Sequence, residues 1–278
     1  MEMLKSLFSR GSNMKLTMLG TGNALVTECY NTCFVISGPS GHFLVDGGGG
    51  NLLLQRLKGA RINWKDIREI FVTHKHVDHL LGIIWMVRMI CQSMREGEYD
   101  GEAYIYAHDE LTGIIREIAG MVLQKKETDL LDRRLHLVTV ADGQEKEITG
   151  RKVTFFDIHS TKAKQFGFRM ELGNGVLACC GDEPYNDADR EYVQGCTWLL
   201  HEAFCAHFMA DVFHPYEKHH STVKDACENA ERLGIENLVL YHTEDRHLED
   251  RKALYLEEGR RYFHGNIYIP DDLEVIRL

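Results

Sequence analysis

The chain has 278 residues, 44% hydrophobic and 27% charged, which is enough for a full core in one or two domains and rules out disordered and collagen-like classes. Lys and Arg total 32 against 42 Asp and Glu, so the net charge of −10 provides no global field to attract nucleic acid. Residues 80–87 form the longest apolar stretch; it stops at Arg88, well short of the ~18 residues needed to span a membrane.

Residues 1–13 (MEMLKSLFSRGSN) hold no apolar run long enough for a secretory signal and no small-residue cleavage site. They are read as a frayed leader before a single domain over 14–278. The eight cysteines show no repeated C-x-x-C spacing, which predicts reduced core thiols and a cytoplasmic protein. Runs of β type occur at 15–20, 32–37, 42–46, 69–73, 103–107, 152–158, 166–172, 175–180, 197–200 and 237–242. Helical spacing of apolar residues marks 50–58, 79–95, 109–125, 221–233 and 249–260. With only 4 prolines and no linker-like tract, nothing divides the chain. Strands and helices alternate in the first half and again in the second, so the expected fold is α/β, two mixed sheets packed face to face with helices outside.

Histidine is unusually abundant, at 15 residues. The run 69–73 ends in His74-Lys75-His76-Val77-Asp78-His79, directly before an apolar helix. Alternate residues of an extended segment point the same way, so His74 and His76 can share one ion, while Asp78 and His79 turn toward a second as the helix begins. Imidazole suits zinc and similar ions, and a carboxylate compensates their charge.

This H-x-H-x-D-H string after a strand resembles the metallo-β-lactamase-fold superfamily of metal-dependent hydrolases, a four-layer αβ/βα sandwich. The resemblance runs from Met14 nearly to Leu278 and assigns His74, His76 and His159 to one metal, Asp78, His79 and His242 to another, with Asp182 bridging. It also makes Asp46, which precedes four glycines, the buried carboxylate that orients the ligand loop. Two divalent transition-metal ions are implied, zinc first, with manganese or iron as alternatives.

Within the superfamily the ribonuclease Z-like branch is the most similar. Leu19-Gly20-Thr21-Gly22 resembles its opening turn, His201-Glu202-Ala203 its HEAT box, His220-Ser221-Thr222 its HST motif, and His242 with Arg246 its final ligand segment. The activity implied is phosphodiester hydrolysis by a metal-bound hydroxide, with His220 protonating the departing alkoxide and Glu202 orienting His220. Asp78 would join them as a catalytic residue. The alternatives are an ester, thioester or lactone hydrolase on the same fold, and a non-catalytic binding or sensing protein. Against the former stand His220 and Glu202; against the latter, the complete ligand set.

The chain departs from the branch pattern at Phe204 and Glu183, each where Thr is usual, at Tyr30, where Arg is common, and at His247, where Tyr is expected. Only 23 positions separate His159 from Asp182, leaving no room for the protruding arm with which long ribonuclease Z proteins grip tRNA. The substrate is therefore expected to be RNA or a smaller phosphodiester, with Lys162, Lys164, Arg169 and Arg246 as candidate phosphate-binding residues. The apolar helix after the ligand loop and the aromatic segment 206–220 suggest core packing, a lid and a homodimer contact, with no membrane partner.

Overall fold

The structure, a computed structural model, describes residues 14–278; the leader expected over 1–13 lies outside the described residues. Strands β1 (Lys15–Gly20), β2 (Cys33–Gly38), β3 (Gly41–Val45), β4 (Ile67–Phe71), β5 (Ala103–Ala107) and β6 (Leu135–Thr139) belong to one sheet. A second contains β7 (Glu145–Ile148), β8 (Arg151–Asp157), β9 (Phe166–Glu171), β10 (Val176–Cys179), β11 (Trp198–Glu202), β12 (Asn237–Tyr241) and β13 (Asn266–Tyr268). The last strand, β14 (Val275–Arg277), returns to the first sheet beside β1, giving the orders β14-β1-β2-β3-β4-β5-β6 and β13-β12-β11-β10-β9-β8-β7.

Both sheets join an antiparallel part to a parallel part: β3 through β6 run parallel in one, β10 through β13 in the other. Each parallel step needs a crossover, and the helices provide it. These are α1 (Leu52–Gly59), α2 (Val77–Glu96) and α3 (Asp109–Val122), the single turns α4 (Lys125–Thr128), α5 (Arg190–Val193) and α6 (Ala210–Phe213), then α7 (Val223–Leu233) and α8 (Arg251–Gly259). An apolar layer between the sheets includes Phe43, Phe71, Phe155 and Phe168, whose rings meet at 4.9–5.8 Å. A second layer packs α1–α3 on the outside of one sheet, and a third packs α7 and α8 on the outside of the other. The result is the expected four-layer αβ/βα sandwich.

The sequence reading omits β6, β7, β13 and β14. These are short or half-polar strands at the sheet edges, where one side lacks the neighbour that enforces an apolar pattern. All eight cysteines are free, and all but Cys29 are buried. No helix among the described residues is long and apolar enough to cross a membrane. Between His159 and Asp182 lie a short loop, β9 and β10, with no protruding arm.

Candidate metal centre

Three of the chemically important residues follow strand ends in left-handed backbone, Asp46 at φ 58°, His159 at 57° and His242 at 58°. Non-glycine residues held there cost about 1–3 kcal/mol each and gather where function requires a particular side-chain direction. Asp46 follows β3. Its carboxylate accepts bonds from the Thr73 amide and hydroxyl, both at 2.8 Å, and from His79 Nδ1 at 2.7 Å. The segment 74–79 is thus tied at both ends, and His79 Nε2 is left facing Asp78 at 3.4 Å and Asp182 at 3.7 Å. The glycines after Asp46 allow the loop to lie directly on α2. A Cβ on Gly82 would stand 1.8 Å from the Gly47 carbonyl oxygen, so only glycine permits the approach.

His76 is the N-cap of α2, which puts Asp78 and His79 in its first turn. From the other sheet come Asp182, after β10, and His242, after β12. Asp182 Oδ2 lies 3.5 Å from His74 Nε2, 3.7 Å from His79 Nε2 and 3.6 Å from His242 Nε2. Two overlapping groups are each compact enough to hold an ion, His74 with His79 and Asp182, and Asp78 with His79 and His242, and His79, with only Nε2 free, can serve one of them; a third group joins Asp182 and His242 to His220. The buried nitrogens His79 Nε2 and His242 Nε2 have no hydrogen-bond partner, and both Asp78 and Asp182 are buried. Buried polar groups in this state call for a cation, so the donor set fits divalent metal.

The histidines divide electrostatically: against its burial, Asp78 and Asp46 hold His79 well above the usual imidazole range. Burial lowers the pKa of His74 and of His242, which favours the neutral imidazole that ligates metal. Burial acts in the opposite sense on Asp182 and Asp78, but the surrounding histidines outweigh it and hold both carboxyls below their usual range.

The remaining expected ligands stand differently. His76 Nδ1 is 2.8 Å from His74 Nε2, and the residue lines a cavity of about 200 Å³ with Asp78, Asp182, His220 and His242. His159 is not drawn into the cluster: its ring is 51% exposed, with Nδ1 3.0 Å from the buried Asp189. It lines instead an adjoining cavity of about 470 Å³ with Glu183, Asp187, Tyr216 and His219. His220 borders both cavities. Its Nδ1 faces Glu202 Oε2 at 3.5 Å, while Glu202 Oε1 accepts the Ser221 amide at 2.5 Å, and Phe204 stacks on the His220 ring at 5.1 Å. Thr222 caps α7.

Of the four candidate phosphate-binding residues only Lys162 reaches the smaller cavity. Lys164 binds Asp109 at 2.6 Å on the surface, Arg169 donates to the Tyr192 carbonyl and Cys196 Sγ, and Arg246 lies over the Phe213 ring. Competing partners closer along the fold have taken them. Sequence reasoning missed Gln165, whose buried amide clamps Asp182 by donating to Oδ1 at 2.7 Å and accepting from its backbone N–H at 2.9 Å. It also missed Thr73, Asp189 and Lys218. A polar residue beside a strand carries no signal of such a role until the sheets are assembled.

The chain is 22% identical over 300 residues to ribonuclease Z of Methanosarcina acetivorans, covering 94% of this chain and 96% of that one. It is 25% identical over 308 residues to ribonuclease Z of Methanothermobacter thermautotrophicus, covering 95% and 97%. Among solved structures, the metallo-β-lactamase fold protein YhfI from Bacillus subtilis superimposes with a TM-score of 0.75 at 19% identity, over 95% of this chain and 98% of that one. Human tRNase Z, short form, gives 0.70 at 19% identity, over 94% and 98%. The fold is therefore that of the metallo-β-lactamase superfamily, and the chain is a metal-dependent hydrolase resembling ribonuclease Z. A family model described as Anti-Pycsar protein Apyc1 matches residues 14–263, and with nearly the whole described chain inside that match, the protein belongs to this family.

Proposed function

We propose that this metal-dependent phosphodiesterase holds two divalent transition-metal ions, zinc foremost, and cleaves a small nucleotide-like phosphodiester. The observation that carries the reading is the convergence of three imidazole nitrogens on one oxygen of buried Asp182, with Asp78 closing the second group. Asp78, His79 and His242 would hold one ion, His74 and His76 the other with His159 at its rim, and Asp182 would stand between them. The ions when bound supply an activated water and positive charge for the equatorial phosphoryl oxygens.

The chain's own residues do the rest. Asp46 and Gln165 fix the directions of His79 and Asp182, so that little reorganisation accompanies the reaction. His220, with Nδ1 toward Glu202 and Nε2 toward the cavity side, delivers a proton to the departing oxygen. The small cavity, the net charge of −10 and the missing arm all favour a compact substrate over a folded RNA, whose binding rests on many phosphate contacts. We infer a homodimer as well, supported by the exposed Leu81, Trp85, Met121 and Val122 on neighbouring α2 and α3; sedimentation equilibrium tests it, and a monomer at micromolar concentration would overturn it.

The deciding experiment assays metal-loaded protein on bis(p-nitrophenyl) phosphate, a dinucleotide, a thioester and a precursor tRNA side by side. Hydrolysis of the first two is expected. Dominant thioester cleavage would move the protein to the ester-hydrolase class, and efficient tRNA cleavage with a steep salt dependence would overturn the small substrate.

A further inference from the structure

The cations around the cleft differ in how fully they are engaged. Lys164 is paired with Asp109 at 2.6 Å, and Lys218 donates to the Phe213 carbonyl at 2.7 Å while lying over the Phe204 ring. Arg169 is satisfied by Tyr192 and Cys196. Lys162 is different: its Nζ has His220 Nε2 and Glu183 Oε1 as neighbours, each at 3.5 Å, and its side chain is largely buried in the wall of the cavity over Asp78 and Asp182. A partly buried ammonium with two long contacts keeps donor capacity for an incoming oxygen.

Its place is set by a local scaffold. Glu183, buried and next in sequence to Asp182, accepts the Ser160 hydroxyl at 2.7 Å, and Ser160 Oγ in turn accepts the backbone amides of Lys162 at 3.2 Å and Ala163 at 3.4 Å. The same carboxylate thus tethers the loop that carries Lys162 and faces its ammonium. The other cavity, bordered by Glu183 and Asp187, has no lysine or arginine in its lining, and the smaller one has Lys162 and Lys218, of which Lys218 already donates to the Phe213 carbonyl, so Lys162 is the less engaged of the two cations.

We propose that Lys162 binds a non-bridging oxygen of the substrate's phosphate beside His220, and that Glu183, acting with Ser160, is the positioning residue that holds it there. This rests on the phosphodiesterase reading. A charge-assisted hydrogen bond of this kind changes affinity by about 10-fold or more. In the metal-loaded protein, Lys162→Met is expected to raise KM for bis(p-nitrophenyl) phosphate by about 10-fold, with a smaller change in kcat, and Lys162→Arg to recover most of the loss. Glu183→Gln is expected to raise KM about threefold alone and to add almost nothing in the Lys162→Met background, since it acts through that side chain.

Calorimetric titration of the same proteins with inorganic phosphate gives a readout independent of turnover, and metal content is measured in parallel. Phosphate affinity of Lys162→Met equal to that of the unaltered protein would overturn the anchor. A Glu183→Gln effect that persists undiminished in the Lys162→Met background would overturn the positioning role. If the unaltered protein fails to hydrolyse the diester but binds phosphate through Lys162, the reaction class is wrong and the anchor stands.

Discussion

The two sheets contribute to the centre in different ways. On the first, every link is short: Asp46 to Thr73 and His79 at 2.7–2.8 Å, Thr73 to His74 at 2.9 Å, and the Gly47 amide to the His79 carbonyl at 2.8 Å. On the second, Asp182 is clamped by Gln165, but His159 leans outward onto Asp189, and His220 and Glu202 face each other at 3.5 Å. The first sheet gives a rigid platform, while the second brings the groups that border the cavities, at longer distances and in part on loops. Such a division lets one half fix ions and the other half adjust to substrate.

Breaking the point where the two halves meet has the largest expected effect. Asp182→Ala removes the oxygen on which His74, His79 and His242 converge, so kcat/KM should fall by at least about 10³-fold and at least one ion per chain should be lost. Elemental analysis beside a bis(p-nitrophenyl) phosphate assay checks both. Full metal content with near-normal rate would mean the convergence is structural only.

Within the rigid half, Asp46→Ala should weaken metal affinity by about 10–100-fold, although the residue touches no ion, because His79 loses the bond that aims its Nε2. Competition with a chromogenic chelator measures this. An unchanged affinity would show that the helix start alone orients His79.

The second half is tested by His159→Ala. A residue already bound to Asp189 and half exposed should matter less than one buried in the cluster, so metal affinity should drop about 10-fold or less, and His74→Ala should cost more. Equal losses would mean that His159 leaves Asp189 to become a full ligand, and the contrast between the sheets would vanish on metal binding.

Sequence made the first half far more legible than the second. The ligand string 74–79 is contiguous, so spacing alone locates the ligand loop, while Asp46 joins it only through the resemblance and the close approach of its glycines emerges only in the fold. The paired sheets also follow from alternation repeated in both halves, except at the edge strands β6, β7, β13 and β14. In the second half, His159, Asp182, Glu202, His220 and His242 are isolated residues at ends of strands and loops, and only order and resemblance connect them. What a side chain does there depends on competitors brought by the fold: Asp189 for His159, Asp109 for Lys164, the Tyr192 carbonyl for Arg169. None of these competitors can be chosen from linear spacing.

The smallest expected effect sharpens this last point, because two lysines two positions apart should behave differently. Lys162 faces the cavity over Asp78 and Asp182, whereas Lys164 is paired on the surface with Asp109, a carboxylate that is itself 71% exposed. A surface pair of this kind contributes about 0–1 kcal/mol to stability and is screened by salt. Lys164→Met should therefore leave kcat/KM for bis(p-nitrophenyl) phosphate within about twofold and shift the thermal midpoint only slightly. Steady-state kinetics at low and high salt check it. A loss matching that of Lys162→Met would show that the loop 160–165 turns Lys164 inward when substrate arrives, and that the anchor is shared across the loop instead of resting on one ammonium.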